Sequence, residues 1–322
     1  MLNILIIKTS IYIKYNYEFS DHLLETTFEN TFATMKVSGF TFIRNAIKLD
    51  YPICEAITSI LPLVDEMIVA VGKGEDDTRK TIESLGDKIK IIDTTWDDNL
   101  REGGKVLAVE TNKAFDEISE DSDWCFYIQG DECVHEKYYS EIQSKMKKYV
   151  NNDRVEGLLF DYIHFYGSYD YLGDSRTWYR QEIRIIKNDK KIRSYRDAQG
   201  FRKNNKKLKV KKINAQIYHY GWVRHPKYQM AKLVEANKLW HSDEYISKKF
   251  DADKDFDYSQ IDSIKPFHET HPKVMHNRIA SMNWKFDKDP RVKSFSVKLK
   301  LLYFIENLTG WRIGEYKNFI KL

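Results

Sequence analysis

At 322 residues, with 42% hydrophobic and 31% charged side chains, the chain has material for one large globular domain or two modest ones. Its formal net charge of +4 is too small to imply nucleic acid as a partner. No apolar run reaches the roughly 18 residues a membrane-spanning helix needs. Three cysteines, Cys54, Cys125 and Cys133, include no CxxC pair, which argues against a disulfide framework and fits a reducing, cytoplasmic compartment.

Residues 1–34 open apolar, but Lys8 and Lys14 interrupt the run, and no small-residue cleavage site follows. They read as an extension outside the fold, with a peripheral strand or helix as the competing reading. From Met35 the pattern becomes regular. Val37 to Ile43 alternates and is β-rich, so a strand is expected there. Tyr51-Pro52 opens a helix with Ile53, Ile57, Ile60 and Leu61 at helical spacing. "DEMIVAVG" ends a continuous apolar run at Gly72, as a buried parallel strand does. "DDTRKTIESLG" reads as a capped helix, "KIKIID" as a third strand, "GGKVLAVETNKAFDEIS" as a third helix and "DWCFYI" as a fourth strand. Strands alternating with helices imply a parallel sheet covered on both faces, with ligands outside the carboxyl ends of its strands.

After Glu132 the pattern changes. One helix, "HEKYYSEIQSKMKKYV", is followed by β segments at "RVEGLLFDYIHFYG", "QEIRIIKN" and "AQIYHYGWV". From about Pro226 the chain reads as amphipathic helix, clearest in "HPKYQMAKLVEANKLWHSDEY" and "SVKLKLLYFIENLTGW". Three regions are expected: the 1–34 extension, a 35–225 domain and a helical 226–322 region. "RKNNKKLKVKK", residues 202–212, carries seven basic residues and no acid. A solvated hairpin accounts for it. A phosphate-bearing acceptor or an anionic membrane surface would also use it.

Several residues could carry chemistry. Asp131 closes "YIQGDE" at the carboxyl end of the fourth strand, where a carboxylate could hold Mg²⁺ or Mn²⁺ against a phosphate. A turn would use the same acids, and Glu132 could brace the site or approach the acceptor. His219 alternates with Ile213, Ala215 and Ile217 and could join Asp131 as a ligand if its strand end approaches, or remain a core histidine. Asp76 caps a helix beside "VGKGEDDT", a loop suited to the nucleotide side of the cleft. Arg101 and Lys105 flank a Gly pair at a helix start, which suits a diphosphate as well as an ordinary loop. Glu182 and Asp197 are candidate general bases for an attacking hydroxyl. Aromatics reach 14%, enough for sugar- or base-stacking surfaces or for an aromatic core.

Seven motifs in order give these residues a common frame: "FIRNA", "DEMIVAVGKGEDDT", "TWDDNLREGGKVLAVETNKA", "IQGDE", "HFYG", "QEIRII" and "IYHY". From Met35 to about Trp222 the chain resembles family 2 glycosyltransferases of the GT-A fold, nearest the lipopolysaccharide-core β-glucosyltransferase branch. The resemblance implies an α/β GT-A fold: a Rossmann-like nucleotide-binding sheet, an antiparallel second half and a helical C-terminal region. It implies a metal-dependent, inverting hexosyltransferase that takes a nucleotide-sugar donor, a UDP-sugar by family habit, and a glycan or lipid-linked acceptor. It puts Asp131 at the metal-coordinating acid, His219 near a late histidine, and Arg44 and Asn45 in the first nucleotide-binding loop. Gln129 replaces the first Asp of the DxD motif, Val71 stands where an Asp reads the base, and Arg180 stands near a usual Asp. The C-terminal helices would shape the acceptor side, with a peripheral membrane contact as a further expectation. A non-catalytic sugar-nucleotide-binding protein and a basic nucleic-acid-binding module stay open as alternatives.

Overall fold

The apolar runs of the first third of the chain become the buried strands of one sheet. The computed structural model describes residues 35–101, 103–251 and 253–322, so the reading of residues 1–34 lies outside the described residues. Strands and helices alternate in the expected order: β1 (Val37–Ile43), α1 (Ile53–Ile60), β2 (Glu66–Gly72), α2 (Thr78–Glu83), β3 (Ile89–Thr94), α3 (Lys105–Asp116) and β4 (Trp124–Tyr127). β1 lies between β2 and β4, parallel to both, and β3 extends the parallel set beyond β2. Successive side chains serve opposite faces. Met67 and Val69 pack with α1 and α4 (Tyr139–Tyr149), while Phe40, Ile68 and Ala70 pack with Phe115 of α3. Both faces of β2 are therefore covered, which is why it reads as an unbroken apolar run, whereas the outer strand β3 has no fully buried residue.

The second half is antiparallel in its centre. Its strands are β5 (Glu132–Val134), β6 (Gly157–Tyr166), β7 (Ser168–Gly173), β8 (Gln181–Lys187), β9 (Ile192–Tyr195), β10 (Gly200–Lys203), β11 (Lys206–Lys207) and β12 (Lys209–Trp222). β8 inserts antiparallel between β4 and β6, and β12 runs parallel along the other edge of β6. This is the GT-A arrangement that the resemblance implies: a parallel nucleotide-type half, an antiparallel half and a helical C-terminal region. That last region holds α5 (Pro226–Asn237), α6 (Asp243–Lys249), β13 (Ile264–Pro266), α7 (His276–Ala280), α8 (Val297–Thr309) and β14 (Ile320–Lys321). β13 pairs with β7, β14 pairs with β12, and Met35–Leu322 forms a single unit.

The basic run is a hairpin only in part. Asn204 and Asn205 both take left-handed conformations (φ 48° and 62°), as a tight two-residue turn between β10 and β11 requires. Lys209, Lys211 and Lys212 instead belong to β12. Among the described residues, no helix is long and apolar enough to cross a membrane. The three cysteines are free.

Candidate functional site

β4 ends at Tyr127, and Ile128 to Gly130 carry the chain out of the sheet to Asp131. β5 then pairs antiparallel with β12, with Glu132 opposite His219. The Tyr220 N–H donates to the Asp131 carbonyl at 2.7 Å. This register holds the Asp131 carboxylate against the end of β12, with Oδ1 3.8 Å from His219 Nε2. The condition attached to His219, that its strand end reach Asp131, is met.

The two neighbouring acids diverge. Glu132 is fully buried and takes both guanidinium nitrogens of Arg184 (2.8 and 2.7 Å) together with the Tyr162 hydroxyl (2.7 Å). The Gln129 N–H also donates to it, at 3.1 Å. Arg184 lies between the rings of Tyr127 and Tyr162, 5.2 Å from each. Glu132 therefore braces the loop and does not approach an acceptor.

The hydrogen bonds fix which nitrogen of His219 is bare. His164 Nε2 faces the Tyr179 carbonyl at 2.7 Å, so it carries the proton and donates. His164 Nδ1 must then accept, and His219 Nδ1 donates to it at 2.9 Å. Burial lowers His164 to about 3 and His219 to about 4, so both rings are neutral at pH 7. His219 Nε2 is left with a lone pair aimed toward a carboxylate. Sequence reasoning missed His164, although the strand "DYIHFY" displays it.

It also missed Lys232. From α5, its ammonium donates to Asp131 Oδ2 at 2.8 Å and to the Gly221 carbonyl at 2.9 Å. Burial disfavours the Asp131 carboxylate, but the Lys232 charge outweighs it and holds the acid well below the usual carboxylate range. Burial, then Arg224, lower Lys232 to about 8, which leaves it charged at neutral pH. A lysine in an amphipathic helix gives no sequence sign of this role.

The donors open to an Mn²⁺ or Mg²⁺ ion are one carboxylate, whose Oδ2 also takes the Lys232 ammonium, and one imidazole nitrogen. A Cβ on Gly221 would lie 2.5 Å from His219 Nε2 and 2.9 Å from Asp131 Oδ2, so the glycine keeps open the space both donors face. Imidazole with carboxylate suits Mn²⁺, and such ions commonly complete their shell with phosphate oxygens and water. Among the described residues, no group of three or more His, Cys, Asp or Glu makes a complete protein cage.

Two cavities meet here. The smaller, about 240 Å³, is lined by Arg44, Asn45, Tyr51, Trp96, Asp131 and Lys232, among others. The Arg44 guanidinium stacks 4.3 Å from the Trp96 ring and pairs with Asp98. Asn45, left-handed at φ 55°, accepts the Glu75 N–H at 2.8 Å. The larger, about 1000 Å³, is lined by Lys105, Glu182, Asp197, several arginines and the tail around Tyr316. Gln129 and Trp240 line both.

Glu182 is buried, and its Oε2 has no hydrogen-bond partner among the described residues. Burial, with the charges of Glu132 and Asp197 adding and Arg184 opposing, pushes its carboxyl up to about 8. Trp178 Nε1 and Asn318 Oδ1, on the same cavity wall, are likewise without partners among the described residues. Asp197 sits on the turn between β9 and β10, flanked by left-handed Arg196 and Ala198.

Two sequence candidates lie apart from these cavities. Asp76 spends its carboxylate on Thr78 (2.5 Å to the hydroxyl) and on the Lys48 N–H (2.7 Å), stitching two loops together. It lines neither cavity, since its oxygens are used before they can face the cleft. Arg101 pairs with Asp243 at 2.6 Å on an adjoining cavity that also touches Arg44 and Asn45.

No family model and no curated protein matches the chain. Solved structures do. Staphylococcus aureus TarS, residues 1–349, in complex with UDP-GlcNAc is 18% identical, covering 41% of this chain and 35% of that one, with a TM-score of 0.31. TarS 1–349 without that ligand is 13% identical over 63% and 64%, with a TM-score of 0.35. Glucosyl-3-phosphoglycerate synthase from Mycobacterium tuberculosis, in complex with Mn²⁺, UDP and glucosyl-3-phosphoglycerate, is 16% identical over 41% and 45%, with a TM-score of 0.28. The matches span between 35% and 64% of the length of these structures.

Proposed function

We propose that the chain is a glycosyltransferase that moves a sugar from a nucleotide donor, a UDP-sugar in the first instance, to a hydroxyl of a glycan or lipid-linked acceptor, with inversion. One juxtaposition carries the reading. Asp131 lines one cavity with His219 Nε2 3.8 Å from its carboxylate, the buried Glu182 carboxyl, unpartnered among the described residues, lines the next, and Gln129 lines both. The seven ordered motifs point the same way.

In this reading Asp131 and His219 would hold Mn²⁺ or Mg²⁺, and the ion would supply positive charge to the diphosphate leaving group. Lys232 adds a fixed positive charge beside the same carboxylate. Arg44, Asn45 and Trp96 frame the nucleoside side, and Gln129 offers a neutral amide to the sugar or ribose. Lys105 lines the larger cavity, on the sugar and acceptor side. Glu182 Oε2 takes the proton of the acceptor hydroxyl. The acceptor oxygen bonds to the anomeric carbon, the bond from that carbon to the phosphate oxygen breaks, and the nucleoside diphosphate departs with the electron pair. Asp197 is the alternative base.

The test is release of nucleoside diphosphate from UDP-sugars across a panel of glycan acceptors. Glu182→Gln lowers kcat at saturating donor by at least about tenfold, while donor affinity holds. If neither Glu182→Gln nor Asp197→Asn slows transfer, both base assignments fail. Donor binding with no acceptor-dependent release by the wild type would leave a binding protein instead.

A further inference from the structure

α8 presents an apolar stripe to solvent. Val297, Leu301, Phe304, Leu308 and, just beyond the helix, Trp311 are 85%, 61%, 64%, 74% and 65% exposed. Their spacing of four and three residues keeps them on one side of a helix. No residue of α8 is fully buried; Leu299, Leu302 and Ile305 are half-buried, and two polar anchors tie the helix to the body. Tyr303 donates to Asp174 at 2.6 Å, and Glu306 pairs with Arg176 at 2.5 Å.

The exposed charge of this segment is basic. From residue 291 to 322 the chain has seven Lys and Arg and two acids: Glu306 and Glu315 pair with Arg176 and Arg180, Arg291 and Lys293 pair with Asp289 and Asp174, Arg312 is buried, and Lys298, Lys300, Lys317 and Lys321 are exposed. The basic run 202–212 lies against the same tail. Lys207 sits 4.7 Å over the ring of Tyr316, itself 70% exposed, and donates to the Lys317 carbonyl. Lys209 is in register with the half-exposed Ile320.

We propose that α8 and the following tail dock onto an anionic lipid bilayer. The stripe enters the interfacial layer with Trp311 at headgroup depth, and the lysines of α8, the tail and the hairpin meet lipid phosphates. Charge favours lipid over a second copy of this chain. A parallel helix pair would bring Lys298 and Lys300 toward their counterparts with no exposed acid on α8 to meet them. At 13 residues the helix is also shorter than the three to four heptads a coiled coil needs.

Co-sedimentation of the full chain with vesicles tests this without any sugar donor, so its outcome is separate from that of the transfer reaction. The chain binds phosphatidylcholine vesicles carrying about one third phosphatidylglycerol and binds pure phosphatidylcholine at least about fivefold less. Raising salt from about 0.1 to 0.5 M releases it. Leu301→Asp with Phe304→Asp cuts binding at least about tenfold and leaves the thermal midpoint in place. Lys298→Glu with Lys300→Glu removes the preference for anionic vesicles. Wild-type-like binding by the Asp double variant overturns the proposal, as does no vesicle binding at all. A wild-type dimer that the Asp double variant dissolves overturns it in favour of a second copy. A photo-crosslink from position 304 into residues 1–34 overturns it in favour of that segment.

Discussion

Asp131 and Glu132 are chain neighbours, yet one carboxylate faces a cavity and the other meets Arg184 in the interior. What separates them is the turn into β5, and what keeps the Asp131 side open is Gly221. Replacing Gly221 with Ala fills the space between His219 and Asp131. Mn²⁺ affinity, read by isothermal titration in the presence of UDP, is expected to fall by at least about tenfold, with the fold intact by circular dichroism. Glu182 sets a pH dependence. Its base form is the deprotonated one, and its carboxyl is pushed up to about 8, so kcat/KM rises with pH and levels off above that value. Asp197→Asn removes a charge that raises Glu182 and moves the rising limb to lower pH. A profile flat between about pH 6 and 9 contradicts the assignment. Asp131 as a candidate ligand was legible from its place at the end of a strand. Lys232 was not, because nothing local distinguishes it from Lys227 of the same helix until the helix is laid across β12.

At the scale of elements, the pairing of β5 with β12 makes the site, and the Glu132–Arg184 pair fixes that pairing to β8. Glu132→Gln leaves a buried guanidinium without its counter-charge. The expected cost is about 3–5 kcal/mol of unfolding free energy by chemical denaturation. A change within about 0.5 kcal/mol, the range of an exposed substitution, contradicts the bracing role. β2 was readable because burial on both faces makes it a continuous apolar run, and β1 because it alternates and is β-rich. β9 was not, because "KIRSYRDAQG" is mostly polar and charged, and only Ile192 and Ser194 of that strand are buried. β10 and β11 are the part of the expected 202–212 hairpin that forms, and the Asn204-Asn205 pair is the local signal for its turn.

Across the whole molecule, the helical C-terminal region supplies walls to both cavities. α5 and the turn after it bring Lys232, Glu235 and Trp240 to the smaller one, and the tail brings Arg312, Glu315 and Tyr316 to the larger. Sequence patterning separated residues 226–322 as helical, but periodicity reports which face of a helix is apolar, not which cleft it closes. The central claim is that Asp131, set beside His219 and Lys232, receives a metal-bound nucleoside diphosphate. Isothermal titration of UDP into the wild type and Asp131→Asn, with and without Mn²⁺, tests it most directly. The wild type is expected to bind UDP at least about tenfold more tightly with Mn²⁺ present, and Asp131→Asn to lose that difference. Equal Mn²⁺ dependence in the two proteins would contradict the account.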